Sequence, residues 1–228
     1  MKIAVIIPAL NEEESIAHVI AEVPRDLVQE IVVVDNGSTD RTAEVARSAG
    51  AEVVREERQG YGYACAAGVA SAGDRFDVIV FMDGDGSDDA SQMRALVEPI
   101  ERGQADLVLG SRVLGTAVRG ALLPHQRLGN ALTTALVRLL YGRRLTDLPP
   151  LKAIRRSLLV ELGMREMTYG WTVEMIVKSA RRGGRIVEIP VPARARIGGQ
   201  SKVSGTIRGT ILAAYYLLRT TIKYAWRD

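Results

Sequence analysis

Residues 77–85 have the sequence Asp77-Val-Ile-Val-Phe-Met-Asp83-Gly-Asp85, in which an uninterrupted apolar run ends in two carboxylates. An apolar run of this length, rich in β-branched and aromatic residues, predicts a strand buried on both faces of a sheet. Such strands are typical of parallel sheets, and open α/β sheets bind their ligands outside the carboxyl ends of the strands. The stretch therefore predicts an α/β fold and the edge of the sheet at which its site lies.

Similar apolar runs precede this stretch at residues 3–7, 30–35 and 51–55, and helical segments are predicted between them at 11–24, 39–49 and 60–73. This β-α-β-α-β-α-β alternation predicts a mostly parallel central sheet with helices on both faces. Beyond it we predict helices at 89–102, 126–141, 157–163, 171–182 and 205–226, strands at 105–110, 152–154 and 185–191, and a mobile loop at 113–124. Pro190, with Pro192 directly after the run, places that strand at an edge. No repeat or linker interrupts the chain, so we predict a single domain, residues 1–228.

The charge of this 228-residue chain is unevenly divided. Residues 1–100 contain 8 basic and 19 acidic residues, a net charge of −11, whereas residues 101–228 contain 22 basic and 8 acidic residues, a net charge of +14. This division disfavours a uniformly basic protein that binds nucleic acid, and we expect no nucleic-acid partner. It suggests an acidic half that holds a cation and a basic half that holds anions, although two solvated faces would give the same counts.

The single cysteine, Cys65, cannot form an internal disulfide, and acidic residues at 12–14 come too early for a signal peptide. We therefore expect a reducing, cytoplasmic location. The terminal helix predicted at 205–226 is apolar but interrupted by Arg208, Arg219 and Lys223, and its longest uncharged run is about half of the ~20 residues that a spanning helix needs. It suits the surface of an anionic membrane, at the inner face, or packing on the domain or on a second copy in a homodimer.

The carboxylates Asp83 and Asp85, with glycine between them, can approach one hard cation after the predicted strand. Mg²⁺ or Mn²⁺ held by one or two carboxylates completes its shell with substrate phosphates. The structural alternative is an acidic turn that caps the next helix, and Asp88 or Asp89 would serve as that cap.

Polar side chains also follow the first two strands, where Asn11, Glu12 and Asp35 offer acceptors for ribose hydroxyls and base N–H groups. In the basic half, Arg112 ends a strand at the same edge, and Arg127 lies near the start of a helix. Residues 194–205 combine cations, glycines and hydroxyls in a composition suited to phosphate. A dinucleotide fingerprint is absent after the first strand, which argues against NAD.

Six motifs occur along the chain in the order typical of one enzyme family: Val5-Ile-Ile-Pro-Ala-Leu-Asn-Glu-Glu13, Val34-Asp-Asn-Gly-Ser-Thr-Asp40, Met82-Asp-Gly-Asp85, Gly110-Ser-Arg112, Thr146-Asp147 and Arg196-Ile-Gly-Gly-Gln-Ser-Lys-Val-Ser-Gly205. In these motifs the chain resembles family 2 glycosyltransferases with the nucleotide-diphospho-sugar transferase (GT-A) fold. Within that family it is most similar to the polyprenyl-phosphate sugar synthases, the dolichyl-phosphate mannosyltransferase-like group.

The resemblance implies a role for each matching residue. The donor, a UDP- or GDP-sugar, would be contacted at its nucleoside by Pro8, Leu10, Asn11, Glu12 and Asp35, and at its diphosphate by Arg196 and Lys202. Asp83 and Asp85 would hold the Mg²⁺ or Mn²⁺ cofactor, and Arg112 and Arg127 would face the acceptor phosphate. The implied division is a nucleotide-sugar and metal half at 1–110, an acceptor half at 111–204 and the terminal helix at 205–228.

The implied reaction is an inverting transfer of a sugar to polyprenyl (dolichyl or undecaprenyl) phosphate, with Asp85, Arg112 and Asp147 as the expected catalytic residues. A lipid phosphate is already an anion and needs no general base. A small hydroxyl acceptor of a soluble enzyme would need one, and Asp147 is the first candidate, unless it is only a turn residue before the prolines. The remaining alternatives are a nucleotidyltransferase, disfavoured because no lysine-containing glycine-rich loop follows the first strand, and a non-catalytic nucleotide-sugar-binding protein.

Overall fold

The computed structural model describes residues 1–116, 124–198 and 207–226. In these ranges one sheet is formed by β1 (Ile3–Ala9), β2 (Glu30–Asp35), β3 (Glu52–Arg55), β4 (Val78–Phe81), β5 (Leu107–Ser111), β6 (Lys152–Arg155) and β7 (Ile186–Pro190). The strand order is β3-β2-β1-β4-β6-β5-β7. β6 is antiparallel to β4 and β5, and the other neighbouring strands are parallel. The predicted mostly parallel sheet is therefore confirmed.

The burial of the strands follows their positions in the sheet. β4 is buried along its whole length, whereas the edge strands β3 and β7 are partly exposed. β7 lies at the edge as predicted, where Pro190 lacks a backbone N–H without interrupting a ladder on the outer side. Side chains alternate along β1, so that Val5 and Ile7 pack on one face and Ala4 and Ile6 pack on the other.

Helices cover both faces of the sheet. The helices are α1 (Ile16–Glu22), α2 (Thr42–Ser48), α3 (Tyr61–Ala72), α4 (Met93–Glu101), α5 (Pro124–Tyr141), α6 (Arg156–Leu162), α7 (Trp171–Arg181) and α8 (Ile207–Trp226). Side chains of α1, α2 and α4 belong to the core on one face, and side chains of α3, α5, α6, α7 and α8 belong to the core on the other. α3 packs closely on the sheet because Gly68 lacks a Cβ, which would lie 2.4 Å from Ile6 Cγ2.

Two of the helix starts that differ from the prediction follow turns at the carboxyl ends of β1 and β4. The acidic residues at 12–14 precede α1, which begins only at Ile16, because the Glu12 carbonyl accepts from the backbone N–H groups of Ser15 and Ile16 in a tight turn. Asn11 enters that turn in the left-handed region, with φ of +53°. The helix predicted at 89–102 begins as a 3₁₀ turn, Ala90–Gln92, before α4. Asp89 caps the turn by accepting from Ser91 N, as expected of one of the two aspartates.

Parts of two predicted segments lie outside the described residues: 117–123 of the predicted mobile loop and 205–206 of the predicted terminal helix. The described beginning of the loop is held by a hydrogen bond from Ala193 N to the Thr116 carbonyl, 3.1 Å long. α5 begins at Pro124, two residues before the prediction. Within the described ranges, no helix combines the length and the apolar character needed to cross a membrane.

Candidate active site

A cavity of about 400 Å³ lies at the carboxyl ends of β1, β2 and β4, the edge at which the site was predicted. Its described lining consists of Pro8, Ala9, Leu10, Glu12, Asn36, Gln59, Gly60, Tyr61, Ala64, Asp83, Gly84, Asp85, Thr168, Tyr169 and Arg196. Six of the predicted site residues are in this lining: Pro8, Leu10, Glu12, Asp83, Asp85 and Arg196. The structure thus brings together the predicted metal ligands, one predicted diphosphate contact and part of the predicted nucleoside site.

The turn after β4 is shaped by its own carboxylates. Asp88 is 3% exposed and accepts from Asp83 N at 2.9 Å, and Asp85 Oδ1 accepts from Ser87 N at 2.9 Å. Gly86 has φ of +77°, and a Cβ there would lie 2.4 Å from Ile197 Cδ1. The glycine is therefore required both by the turn and by the segment that packs against it.

Four aspartates lie in this turn, of which Asp88 and Asp89 are buried and Asp83 and Asp85 are partly buried. Burial, followed by the charges of Asp88 and Asp85, raises the pKa of Asp83 well above its usual range. Burial also raises the pKa of Asp88 to about 6, with a further contribution from the charge of Asp85. A cation at Asp83 and Asp85 would relieve this repulsion.

The residues present fit Mg²⁺ or Mn²⁺ of the kind that substrate phosphates complete. Among the described residues, no group of three or more His, Cys, Asp or Glu is arranged to hold a metal ion by itself. Mg²⁺ is commonly bound by only one or two carboxylates together with phosphates, and Asp83 and Asp85 supply those two carboxylates at the cavity wall.

Arg196 connects the turn after β4 to the segment after β1. Its Nη2 lies 2.8 Å from Glu12 Oε1, its Nη1 lies 3.5 Å from Asp85 Oδ2, and its Nε donates to the Gly198 carbonyl at 2.9 Å. Glu12, expected to contact the nucleoside, therefore orients an arginine at the cavity. The guanidinium lies at the cavity wall, where an anionic ligand would share it with Glu12 and Asp85.

Asn11 and Asp35 are not among the described lining residues. Asn11 Oδ1 accepts from Thr39 N at 2.8 Å, and Asp35, which is 1% exposed, accepts from Ser38 N at 2.9 Å. Both side chains hold the turn that follows β2.

Asn36, the residue after Asp35, is in the lining of the cavity. Its side chain donates to the Glu56 and Arg58 carbonyls and accepts from Gly60 N, so it holds the segment between β3 and α3.

One wall of the cavity was not predicted. Thr168 and Tyr169 come from the connection between α6 and α7 and reach the cavity beside the start of α3. Gly60 and Gly62 permit this approach, because a Cβ at Gly60 would lie 2.5 Å from the Met167 carbonyl oxygen and one at Gly62 would lie 2.3 Å from the Glu166 carbonyl oxygen. The paired glycines thus serve backbone packing, and no local pattern in the sequence points to residues 168 and 169.

A second polar cluster contains Arg112 and Asp147, neither of which lines the cavity. Asp147 is fully buried. Its Oδ2 accepts hydrogen bonds from the backbone N and the Nε of Arg112. Its Oδ1 accepts from Arg112 Nη2, Asn130 Nδ2 and Leu148 N. Glu188 of β7 holds the same turn by accepting from Thr146 N and Asp147 N. With both oxygens engaged, the Asp147 carboxylate fits a positioning role for Arg112 better than that of the general base that a hydroxyl acceptor would need.

The last two predicted site residues are not brought to the cavity by the described structure. Arg127 is exposed near the start of α5, and Lys202 lies outside the described residues. Arg127 therefore lies at the surface, outside the described lining of the cavity.

Comparison with known proteins agrees with this geometry. The model of the family "Glycosyl transferase family 2" matches residues 4–163. An uncharacterized glycosyltransferase of Mycobacterium tuberculosis is 40% identical over 212 residues, which are 92% of this chain and 94% of that protein. A dolichyl-phosphate hexose transferase of Haloferax volcanii is 37% identical over 201 residues, 86% of this chain and 84% of that protein.

Among solved structures, glucosyl-3-phosphoglycerate synthase from Mycobacterium tuberculosis, in complex with Mn²⁺, UDP-glucose and phosphoglyceric acid, superimposes with a TM-score of 0.80 at 26% identity. The match covers 100% of this chain and 80% of that one. The fold is therefore that of GT-A glycosyltransferases, and the chain belongs to glycosyl transferase family 2.

Proposed function

We propose that this glycosyltransferase moves a sugar, with inversion, from a UDP- or GDP-sugar to a polyprenyl phosphate with the help of Mg²⁺ or Mn²⁺. The acceptor phosphate oxygen forms a bond to the anomeric carbon of the sugar, and the bond from that carbon to the nucleoside diphosphate breaks. The leaving group departs as an anion, so the site must favour negative charge on the diphosphate.

The donor half of the proposal rests on the lining of the cavity. Pro8 and Leu10 supply apolar surface for the nucleoside, Arg196 supplies a cation for the diphosphate, and Asp83 and Asp85 supply the metal ligands. A divalent cation held by the two aspartates would neutralise charge on the departing diphosphate. We also assign Lys202 to the diphosphate, because it shares the basic segment of Arg196.

The acceptor half of the proposal rests on Arg112, which directly follows β5 and has its guanidinium held in place by Asp147. A phosphate monoester is anionic at neutral pH, so its oxygen attacks without loss of a proton to a base. Arg112 would bind that phosphate, with Arg127 at the surface, and Asp147 would keep Arg112 oriented.

The main observation that supports a lipid acceptor is the pair of exposed apolar stripes on α5 and α8. Both stripes follow helical spacing: Leu128, Leu132 and Leu139 on α5, and Leu212, Tyr215, Ile222 and Trp226 on α8. Leu139 is 78% exposed and Trp226 is 75% exposed, and the two helices are joined by a hydrogen bond from Tyr141 Oη to the Thr221 carbonyl. Neither helix contains an acidic residue.

Exposed apolar and aromatic residues combined with arginines favour an interface with an anionic lipid surface. Among the side chains of these helices that the structure describes, the exposed cations are Arg127, Arg138 and Arg219. Peripheral attachment at the inner face of the membrane is therefore proposed together with the lipid acceptor. The name of the Haloferax volcanii relative supports the same acceptor class.

Transfer into vesicles tests this proposal. The protein is incubated with Mn²⁺, radiolabelled UDP- and GDP-sugars, and vesicles that contain polyprenyl phosphate, and we expect label to become chloroform-soluble. Leu139→Glu should reduce sedimentation with anionic vesicles, whereas Val160→Glu, at an exposed residue of α6 outside these stripes, should not. Labelling of a water-soluble acceptor alone would overturn the lipid acceptor, and dimerisation through the stripes would show that a second copy covers them.

A small phosphorylated acceptor is the second candidate. It is favoured by the fold shared with the synthase that was crystallised with phosphoglyceric acid, over the whole of this chain. Arg112 suits the phosphate of either acceptor, so the assay includes 3-phosphoglycerate beside the lipid. A hydroxyl acceptor activated by Asp147 is disfavoured by the engaged carboxylate, and a purely binding role would be shown by donor binding without any transfer.

The domain division proposed from the sequence also changes. The cavity draws most of its lining from residues 1–110, but Thr168, Tyr169 and Arg196 belong to the segment assigned to the acceptor. We therefore propose a single domain in which the segment 111–204 closes the donor site as well as holding the acceptor, with 205–228 as the segment that meets the membrane.

A further inference from the structure

The segment that follows β7 lies along the turn after β4. Ile197 N donates to the Asp85 carbonyl at 2.9 Å, and Arg194 N donates to the Ser87 carbonyl at 3.2 Å. These backbone hydrogen bonds hold the segment in place, and they do not involve the side chain of Arg196. The Arg196 side chain can therefore change its partners while its backbone stays where it is.

Glu12 holds one edge of the Arg196 guanidinium. Arg196 Nη2 lies 2.8 Å from Glu12 Oε1, and Glu12 is itself 9% exposed. The backbone N of Glu12 donates to Thr42 Oγ1 at 2.8 Å, and its Oε2 accepts from Ser15 Oγ at 3.2 Å. The Glu12 carboxylate is thus fixed by its neighbours, so it can serve as a pivot for the arginine.

The other edge of the guanidinium faces a proposed metal ligand. Arg196 Nη1 lies 3.5 Å from Asp85 Oδ2, and Oδ1 of the same carboxylate accepts from Ser87 N at 2.9 Å. The Arg196 and Asp85 side chains are only 22% and 17% exposed, so water screens their charges incompletely. A divalent cation bound to Asp85 would lie close to the guanidinium, and these like charges would repel each other.

We propose that Arg196 is an exchangeable counter-ion of the cation site, which neutralises Asp85 before Mg²⁺ or Mn²⁺ binds and then turns on Glu12 toward the diphosphate of the donor. This inference rests on the proposed function, from which it takes the metal and the diphosphate. Metal alone has to compete with Arg196 for Asp85, and a diphosphate removes that competition by engaging the arginine. Metal and nucleotide therefore strengthen the binding of each other, and by equal factors.

Binding measurements on two variants of equal charge test the inference. Arg196→Gln removes the counter-ion. Arg75→Gln is the control, because Arg75 pairs with Glu30 at the start of β2, at the edge of the sheet opposite the cavity. Binding of Mn²⁺ alone is measured from the electron paramagnetic resonance signal of the free ion. Binding of UDP and of GDP, each with and without Mn²⁺, is measured by calorimetry.

The two ligands should respond to Arg196→Gln with opposite signs. We expect the variant to bind Mn²⁺ alone about 3- to 10-fold more tightly than the wild type, because an incompletely screened like charge is removed from the ligand. Without metal, it should bind the accepted nucleoside diphosphate more weakly, and the factor by which that nucleotide strengthens Mn²⁺ binding should fall. Arg75→Gln should match the wild type in all three measurements.

The contrary results are equally distinct. Unchanged or weaker Mn²⁺ binding by a folded Arg196→Gln variant would overturn the exchange and leave the proposed function intact, since a merely structural arginine would weaken both ligands when it is lost. Equal tightening by Arg75→Gln would overturn it as well, because the effect would then come from net charge. Failure of the wild type to bind either UDP or GDP in the presence of Mn²⁺ would refute the proposed donor, and the inference with it.

Discussion

Replacing Asp147 by asparagine separates two roles that a buried carboxylate near an acceptor site can have. The carboxylate is fully buried and binds Arg112 through both of its oxygens, and the Arg112 side chain is 23% exposed. If Asp147 positions Arg112, the substitution leaves a largely buried guanidinium without its counter-charge. If Asp147 is a general base, the main loss should be in the chemical step.

The geometry gives the expected size of the effect. Removing one partner of a buried ion pair destabilises a protein by about 3–5 kcal/mol, because the remaining charge is uncompensated. Water reaches part of Arg112, and asparagine retains one acceptor, so we expect Asp147→Asn to lower the free energy of unfolding by about 2–3 kcal/mol. Asp26→Asn is the control, since Asp26 pairs with Arg94 where the two side chains are 71% and 65% exposed, and it should change stability by less than about 0.5 kcal/mol.

Urea unfolding of the single variants and of the double variant with Arg112→Gln measures the coupling. We expect a coupling energy of about 2 kcal/mol, within the range for residues in direct contact. Kinetics of the single variant should show a raised KM for the acceptor with an unchanged acidic limb of the pH profile. A variant as stable as the wild type that loses turnover and the acidic limb together would refute the positioning role.

Three further predictions concern the cavity and its walls. Asp85→Ala should abolish both sugar transfer and Mn²⁺-dependent nucleotide binding in calorimetry, and unchanged metal-dependent binding would show that the cation lies elsewhere. Gly62→Ala should lower the free energy of unfolding by about 1–3 kcal/mol, because its Cβ would meet the Glu166 carbonyl, whereas Gly129→Ala, in open space on α5, should raise it by about 0.5–1 kcal/mol. The pKa of Asp88 is raised to about 6, so the folded protein favours the protonated carboxyl. In EDTA, the free energy of unfolding contributed by this carboxyl should therefore fall as pH rises from about 4 to about 6. Melting curves of Asp88→Asn should lack that fall, and an unaltered pH profile would contradict the assigned burial effect.

The sheet and the position of the turn that carries Asp83 and Asp85 could be predicted because their signals are local. An apolar run predicts a buried strand wherever it occurs, and Asp83 and Asp85 follow such a run directly, so their position at the edge of the sheet follows from the strand alone. The start of α1 could not be predicted in this way. Acidic residues before an apolar helix have the composition of a first turn, but Glu12 is bound by Arg196, which is 184 residues away in the sequence.

The walls of the site could not be predicted because they depend on contacts between distant segments. Thr168 reaches the cavity through the packing of its loop on Gly62 and on α8, and neither contact leaves a pattern near residue 168. The engagement of Asp147 depends on Arg112, 35 residues earlier, and on Asn130. A sequence motif thus identifies Asp147 as a candidate site residue. The hydrogen-bond partners of its carboxylate determine whether it is free to act as a base or is suited to positioning Arg112.

The edge strand β7 and its continuation connect the two parts of the site. Glu188 on β7 holds the turn that carries Asp147, next to Arg112, the proposed acceptor contact. A few residues later, Arg194 N donates to the Ser87 carbonyl, and Ile197 N donates to the Asp85 carbonyl, so the same segment lies along the turn after β4. Arg196 then enters the cavity. Because one short segment contacts both the turn that carries Asp147, the partner of Arg112, and the turn that carries Asp83 and Asp85, a shift of β7 would move the proposed acceptor and donor parts of the site together.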